Sequence, residues 1–211
     1  MRRLFLLVIL CCAVSLSADP KARRQRLAET LGDRVLLLFA STEEDDTFRQ
    51  NDDFYYLTGL NEPGGAIVIA AANDDRPYTE ILFLPGRNAS REAWTGRKLA
   101  AGDQDAARVT GFDRVEPLDR LRDELAALVP ERATVLTDRE VGEIPLAWLR
   151  RSNAFPRYVQ IAAAGPVIAD LRAIKGADEI AILRKAANAT IAAHRAALQA
   201  IRPGLTENEL A

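Results

Sequence analysis

The chain has 211 residues, of which 48% are hydrophobic and 27% are charged, with a formal net charge of −2. This length suits one domain and part of a second, and the apolar content is sufficient for a hydrophobic core. No basic stripe runs along the sequence, so its charge gives no indication of nucleic-acid binding.

The first residues, 1–18, are predicted to form a secretory signal peptide. Two arginines precede the apolar run 4–10, and small residues follow it, so we expect cleavage near Ser17 or Ala18. The apolar run is shorter than the about 20 residues that span a bilayer. An uncleaved membrane anchor is the alternative.

The two cysteines of the chain, Cys11 and Cys12, both lie within this segment. The mature chain would therefore contain no cysteine and no disulfide framework. A lipoprotein attached through either cysteine is disfavoured, because neither follows the small residue that lipoprotein processing needs. We expect an exported protein, periplasmic or secreted, with no membrane attachment after cleavage.

The segment after the signal peptide predicts helices alternating with short strands. Helices are indicated by apolar residues three and four positions apart, and strands by short β-branched, aliphatic or aromatic runs between turn residues. An acidic loop is expected at 41–46, and 153–166 has a mixed pattern that predicts no single element. The predicted elements are a helix over 21–31, strands over 35–40, 54–57, 66–69 and 81–84, a turn at 73–77, a helix over 118–128, a strand over 134–137 and a short helix over 145–151.

This order of elements predicts an α/β fold with a mixed β-sheet flanked by helices. A different segment follows, because Gly176–Ile201 is alanine-rich and carries one apolar stripe at helical spacing. A further helix start is predicted at Thr206, with Glu209 three residues later. We place the domain boundary near 166–170, giving a first domain over 19–166 and the start of a second over 167–211.

Few residues offer catalytic chemistry. The single histidine, His194, lies on the apolar stripe of the long helix, where a packing role is favoured. The acidic runs consist of sequence neighbours in loops and are interpreted as solvated loops, since no spaced set of histidine, cysteine or carboxylate ligands is present. No Gly-x-Ser-x-Gly motif and no phosphate-binding glycine loop occur. We therefore predict no catalytic and no metal-binding residue in this chain.

Three stretches together resemble the aminopeptidase P family, the Xaa-Pro aminopeptidases. The first, 48–65, contains the run Arg-Gln-Asn-Asp-Asp-Phe followed by Tyr-Tyr-Leu-Thr-Gly. The second, 92–99, reads Glu-Ala-Trp-Thr-Gly-Arg-Lys-Leu, and the third, 171–180, begins Leu-Arg-Ala-Ile-Lys. Two departures are Asp52, where the family commonly has serine, and the alanine pair 100–101, where a glycine often occurs.

The resemblance implies a fold and an activity. It implies the creatinase and aminopeptidase P amino-terminal domain, followed by the first long helix of a truncated pita-bread domain. Family members release the amino-terminal residue that precedes proline, and use two manganese ions held by two aspartates, two glutamates and one histidine. None of these ligands has a matching position here, and all would fall after Ala211. The implied partners are peptides with proline at the second position and further copies of the chain, in a dimer or tetramer.

Five residues are candidates for a substrate cleft or subunit interface: Trp94, Arg97, Arg49, Asp53 and Tyr56. The family's matching tryptophan contributes to the substrate cleft, often in a neighbouring subunit, so the resemblance implies this role for Trp94. The alternative is that Trp94 covers the edge of its own core. For Arg49, Asp53 and Tyr56 the alternative is an internal salt bridge with strand packing. Arg97 could instead pair with Glu92.

Three functional hypotheses follow. The chain is the amino-terminal part of an exported, manganese-dependent Xaa-Pro aminopeptidase, inactive by itself; or it is a non-catalytic binding or dimerisation module; or it belongs to a creatinase- or prolidase-like hydrolase of the same architecture. The helix start at Thr206, with almost no helix after it, favours the first hypothesis.

Overall fold

The computed structural model describes residues 19–42, 48–74, 76–129, 133–138 and 159–210. The predicted signal peptide, the predicted helix at 145–151 and most of the predicted acidic loop lie outside these ranges. The described residues belong to two compact units, Asp19–Ile174 and the segment from Lys175 onward. The start of a catalytic domain at residue 167 stays a prediction.

The first unit alternates helices with strands, as the sequence predicts. In chain order its described elements are α1 (Pro20–Leu31), β1 (Val35–Phe39), α2 (Asp52–Thr58), β2 (Ala66–Ala70), β3 (Thr79–Leu84), α3 (Ala89–Thr95), α4 (Ala106–Thr110), β4 (Arg114–Pro117), a 3₁₀ turn (Leu118–Arg120), α5 (Leu121–Leu128), β5 (Thr134–Thr137), β6 (Gln160–Ala163) and α6 (Gly165–Ala173).

The described strands form one mixed sheet in the order β4-β3-β2-β1-β5-β6. Strand β2 is antiparallel to both of its neighbours, whereas β3–β4, β1–β5 and β5–β6 pair in parallel. Helices pack against both faces, so the predicted α/β class with a mixed, helix-flanked sheet is confirmed. Five of these strands therefore run in one direction, and their carboxyl ends share one edge of the sheet.

The core lies on both faces of the sheet, and β1 shows why. Leu36 and Leu38 face one apolar cluster together with residues of α1, α2 and α6. Val35 and Leu37 face the other cluster, which includes Leu125 of α5. A strand covered on both faces needs apolar side chains at every position, and this accounts for the Val-Leu-Leu-Leu run.

The strand predicted over 54–57 is wrong, because these residues lie in helix α2. Asn51 caps the helix, since its side-chain oxygen accepts hydrogen bonds from the backbone N–H groups of Asp53 and Phe54. At the other end Gly59 adopts a left-handed conformation, with φ of 70°, and donates its N–H to the carbonyl of Tyr55. Two end signals thus outweigh the strand preference of the aromatic residues.

The other predicted helices and strands that fall on described residues agree with the structure, with some changes at their ends. The helix over 118–128 begins as a 3₁₀ turn, and the strand over 81–84 begins earlier, at Thr79. Strand β6 lies in the region where no element was predicted. No element is predicted at helix α6 (Gly165–Ala173) either. Nor are α3, α4 and β4 predicted, because five- to seven-residue helices and a four-residue edge strand carry little periodicity.

A buried ion pair joins helix α1 to strand β3. The Nε of Arg24 lies 2.7 Å from Oε2 of Glu80, and Nη2 of Arg24 lies 3.2 Å from Oε1. Both side chains are 0% exposed. Tyr78 donates its hydroxyl to the same carboxylate at 2.6 Å, and burial together with this hydrogen bond raises the pKa of Tyr78.

The remaining donors of Arg24 hold two further segments. They reach the carbonyl of Leu57 in α2 at 2.9 Å and the carbonyl of Gly111, just after α4, at 2.7 Å. The guanidinium also stacks on the ring of Phe112, 3.7 Å from its centroid. One side chain therefore fixes α1, β3, α2 and the end of α4 relative to one another.

The second unit contains a long helix, α7 (Ala177–Ala200), and a short one, α8 (Glu207–Leu210). The long helix confirms the prediction over 176–201, and α8 follows the helix start predicted at Thr206. The backbone N–H of Gly176 donates to the side chain of Glu179 at 2.8 Å, which supports the start of α7. In the part of the chain that is described, no helix is long and apolar enough to cross a membrane.

Replacing Glu80 with glutamine is expected to destabilise the first unit by about 3–5 kcal/mol, because the buried Arg24 would lose its counter-charge. The control is Glu116→Gln, in the half-exposed pair with Arg114, where a loss below about 1 kcal/mol is expected. Urea unfolding of both variants measures the two losses. Equal losses would show that burial of the pair does not matter.

Candidate functional site

The first signature stretch lies at the edge of the sheet where β1 and β5 end. Ser41 follows β1 and Asp138 follows β5, and these strands are parallel neighbours. An open concavity of about 510 Å³ at this edge is lined by Ser41, Arg49, Gln50, Asn51, Asp52, Asp53 and Arg172. Ligands of α/β proteins commonly bind outside the carboxyl ends of the strands, so this position suits a binding surface.

Gln50 is buried and holds the loop in place. Its side-chain oxygen accepts hydrogen bonds from the backbone N–H groups of Ser41 at 2.8 Å and Asn51 at 2.9 Å. Its side-chain nitrogen donates to the carbonyl of Glu62 at 2.8 Å. The carboxylate of Glu62 in turn accepts the backbone N–H of Leu99 at 3.0 Å. The first and second signature stretches are thus connected through Glu62.

Asn51 has two structural tasks in this concavity. Its oxygen caps α2, and its side-chain nitrogen donates to Oδ2 of Asp138 at 3.0 Å. A second oxygen of Asp138, Oδ1, accepts the backbone N–H of Phe39 at 3.4 Å. Asn51 therefore ties the start of α2 to the ends of β1 and β5.

The structure gives Asp53 and Tyr56 a common partner, Arg172 on α6. The Nη1 of Arg172 lies 2.5 Å from Oδ1 of Asp53. The Tyr56 ring faces the guanidinium carbons of Arg23, 4.2 Å from its centroid, and Arg172, 5.5 Å away. Asp53 and Tyr56 therefore connect α2 to α1 and α6. This agrees with the alternative of an internal salt bridge, although the residues lie on a helix and not on a strand.

Arg49 is placed differently from Asp53. Its side chain is 84% exposed, and its Nη2 lies 3.3 Å from Oδ2 of Asp52, which is itself exposed. An exposed pair at this distance constrains a guanidinium only weakly. Arg49 can therefore donate to a ligand in the concavity.

Trp94 lies on α3, and its side chain is 92% exposed. This exposure disagrees with the alternative that Trp94 covers the edge of its own core. A tryptophan offers a large apolar face together with an N–H donor, so Trp94 is available for contact with another molecule.

The residues on either side of α3 converge on Asp103. Its Oδ1 accepts from Nη2 of Arg87 at 2.6 Å and from Nη2 of Arg97 at 3.0 Å, and its Oδ2 accepts the backbone N–H of Ala100 at 3.1 Å. The alternative pairing of Arg97 with Glu92 is not seen, because Glu92 pairs with Arg87 at 3.1 Å. These contacts lower the pKa of Asp103 to about 2, with the hydrogen bond from Arg87 as the largest cause.

The described residues are suited to binding and orientation. Among them no group of three or more histidine, cysteine, aspartate or glutamate side chains could hold a metal ion. The described donor set therefore does not fit a metal centre. The concavity and the segment around α3 instead present exposed guanidinium groups and an indole, which can donate hydrogen bonds and offer an apolar face to a ligand.

Sequence reasoning missed the contacts that position these groups. Arg172 lies in the third stretch that carried the resemblance, but nothing in that stretch indicates its partner in α2. The role of Asp103 has no local signal, since Arg87 is sixteen residues away along the chain. The amide side chains of Gln50 and Asn51 could have been suspected, because both lie inside the first signature stretch.

The comparison with known proteins decides the family. A sequence model described as "Aminopeptidase P, N-terminal domain" matches residues 21–136, more than half of the chain. The chain belongs to the aminopeptidase P family. This confirms the resemblance based on the three signature stretches.

Two curated relatives show how much of the family's length is present. The chain is 30% identical to Xaa-Pro aminopeptidase of Escherichia coli over 206 residues, which cover 89% of this chain and 46% of that protein. It is 30% identical to Xaa-Pro aminopeptidase of Haemophilus influenzae over 157 residues, 73% of this chain and 34% of that protein. The chain therefore spans less than half the length of these relatives.

Solved structures agree with the sequence relatives. Aminopeptidase P from Escherichia coli in its low-pH form has a TM-score of 0.76 and 29% identity, covering 92% of this chain and 47% of that chain. The same Escherichia coli protein has been solved with the inhibitor Pro-Leu and, in a zinc-substituted form, with product. The fold described above is thus the fold of the amino-terminal part of aminopeptidase P.

The low pKa of Asp103, about 2 against an ordinary 3.8, predicts a pH dependence. Because folding lowers this pKa, the carboxylate's contribution to stability is fully present above its ordinary pKa and is lost as the pH falls towards 2. Carboxyl chemical shifts followed by NMR during acid titration should give a midpoint near 2. In the Arg87→Met variant the midpoint should rise towards 3.8, and an unchanged midpoint would contradict the assigned cause.

Proposed function

We propose that this chain is the amino-terminal part of an exported, manganese-dependent Xaa-Pro aminopeptidase, which releases the amino-terminal residue preceding proline. The observation that carries the proposal is family membership, through the match over residues 21–136. It is supported by the names of the relatives and by the Escherichia coli complexes with Pro-Leu and with product. The substrates would be peptides with proline at the second position.

The task of this part would be to form one wall of the peptide entrance and a subunit contact. Trp94 would offer its indole face to the proline ring or to an adjacent apolar side chain. Arg49 would offer N–H donors to peptide carbonyl groups or to a carboxylate. Arg97, which pairs with Asp103, would act by holding the segment that carries Trp94. Asp53 and Tyr56 would act from inside the fold, by holding α2 and its concavity in position.

The hydrolytic chemistry would reside in the part of the relatives that this chain does not span. The described residues do not fit a metal centre, so no step of the reaction is assigned to them. Two manganese ions are proposed for the complete enzyme. This chain by itself is accordingly expected to be inactive.

Assembly and export complete the proposal. A homodimer or tetramer would allow Trp94, which is 92% exposed, to reach a neighbouring copy. Export would proceed through the signal peptide predicted at residues 1–18, after which the mature protein would not be attached to the membrane.

Peptide cleavage tests the proposed activity. The intact protein from its source and the 19–211 segment are each given a fluorogenic Xaa-Pro peptide and a matched Xaa-Ala peptide, with and without manganese. We expect manganese-dependent release of the first residue from the Xaa-Pro peptide by the intact protein alone. Cleavage by the 19–211 segment would refute the assignment of the chemistry to the remaining part. If the intact protein binds other copies but cleaves neither peptide, the chain is a non-catalytic module.

Trp94→Ala tests the entrance wall in the intact enzyme. An aromatic contact is worth about 0.5–1.5 kcal/mol beyond its buried area, so we expect a loss of about tenfold in kcat/KM for the Xaa-Pro peptide. The control is Val109→Ala on α4, another exposed apolar side chain, which should leave the kinetics unchanged. Equal kinetics for both variants would remove Trp94 from the site.

A further inference from the structure

Helix α3, which carries Trp94, is not held by a hydrophobic contact of its own. It has seven residues, and none of its described side chains is buried. Isolated helices of this length are unstable in water, because too few hydrogen bonds offset the cost of nucleation. Burial of its own described side chains therefore does not fix the orientation of α3.

The ion pairs that flank α3 supply this constraint. Arg87 precedes the helix and Arg97 follows it, after a turn at Gly96 with φ of 78°. Both guanidinium groups donate to the same oxygen of Asp103. The chain from 87 to 103 is thereby closed into a loop whose two sides meet at one carboxylate.

Three further hydrogen bonds, to two carboxylates, make the closure stiff. A second amino group of Arg87 reaches back to Glu92 on α3 itself, 3.1 Å and 3.3 Å from its two oxygens. The second oxygen of Asp103 accepts the backbone N–H of Ala100, and the Asp103 side chain is only 12% exposed. A network in which one carboxylate satisfies three donors is more rigid than separate surface pairs.

We propose that Asp103 is a positioning residue that fixes the orientation of Trp94 through Arg87 and Arg97. It sets how well the enzyme binds peptides with proline at the second position. The proposal rests on the proposed function for its kinetic part alone, because the orientation of Trp94 can be measured in the chain without any substrate. A preset indole surface binds its ligand at a lower entropic cost than a mobile one.

The first experiment measures the mobility of Trp94 directly. The chain has two tryptophans, Trp94 and Trp148, so Trp148→Phe leaves Trp94 as the sole reporter in time-resolved fluorescence anisotropy. Asp103→Asn keeps the side-chain size and removes the charge, and it should increase the amplitude of the fast, nanosecond depolarisation. The control is Asp105→Asn, in the exposed pair with Arg108, which should leave the decay unchanged.

The outcomes of this measurement are decisive. Faster motion in Asp103→Asn alone, with an unchanged far-ultraviolet circular dichroism spectrum, supports the proposal. No change in Asp103→Asn, or an equal change in Asp105→Asn, overturns it. Arg97→Gln removes one of the two arginines that pair with Asp103. The amplitude of its fast depolarisation should lie between those of the parent and of Asp103→Asn, so this variant provides the test if Asp103→Asn folds poorly.

The second experiment measures the effect of Asp103 on the kinetics of the intact enzyme. Asp103→Asn should raise KM for the Xaa-Pro peptide about fivefold with little change in kcat, because positioning affects binding more than the chemical step. In a Trp94→Ala background the same substitution should have no further effect, since the two residues act as a unit. Additive effects of the two substitutions would overturn the proposal. Absence of any cleavage by the parent enzyme would instead refute the proposed function, and the anisotropy result would stand.

Discussion

The buried pair of Arg24 and Glu80 is the constraint on which the arrangement of this domain depends. Charges removed from water must be compensated by partners at short distance, and here the partners come from four separate segments. The carbonyl of Leu57 is among them, so the pair fixes the carboxyl end of α2. The amino end of the same helix is fixed by Asn51. The candidate concavity therefore lies on a helix that is held at both ends.

The first signature stretch divides into residues that face the protein and residues that face solvent. Three residues face the protein. Gln50 forms hydrogen bonds with backbone groups, Asn51 with Asp138 and Asp53 with Arg172. Arg49 remains exposed. Three polar side chains of this stretch therefore hold the domain together, whereas Arg49 faces solvent.

The sequence allowed the fold class to be predicted, because β1 and β2 are apolar at every position and the long helix α7 has a continuous apolar stripe. The error at 54–57 shows the limit of this approach. Aromatic residues favour strands, but here the cap at Asn51 and the left-handed Gly59, which lie outside the aromatic run, decide for a helix.

The site could be predicted only in part, for a related reason. Trp94 and Arg49 are predicted because they lie in the stretches that carry the family resemblance, and the structure shows that both are exposed. The contacts of Arg172 and Asp103 are not predicted, because Arg172 pairs with Asp53, 119 positions away, and Asp103 pairs with Arg87, 16 positions away, and no local pattern records such distances. Contacts of this kind are established by the packing of the helices and are visible only once the fold is known.

The mixed sheet also has a consequence for how the chain folds. Strands β1, β2 and β3 pair as neighbours in sequence, so this ribbon can assemble early. The other edge of β1 pairs with β5, which is made much later in synthesis. Until then the apolar Val-Leu-Leu-Leu-Phe strand has one edge of unpaired backbone N–H and C=O groups, and incomplete chains can associate by pairing at such an edge. A nascent chain of this protein is therefore most vulnerable to aggregation between the synthesis of β3 and the docking of β5.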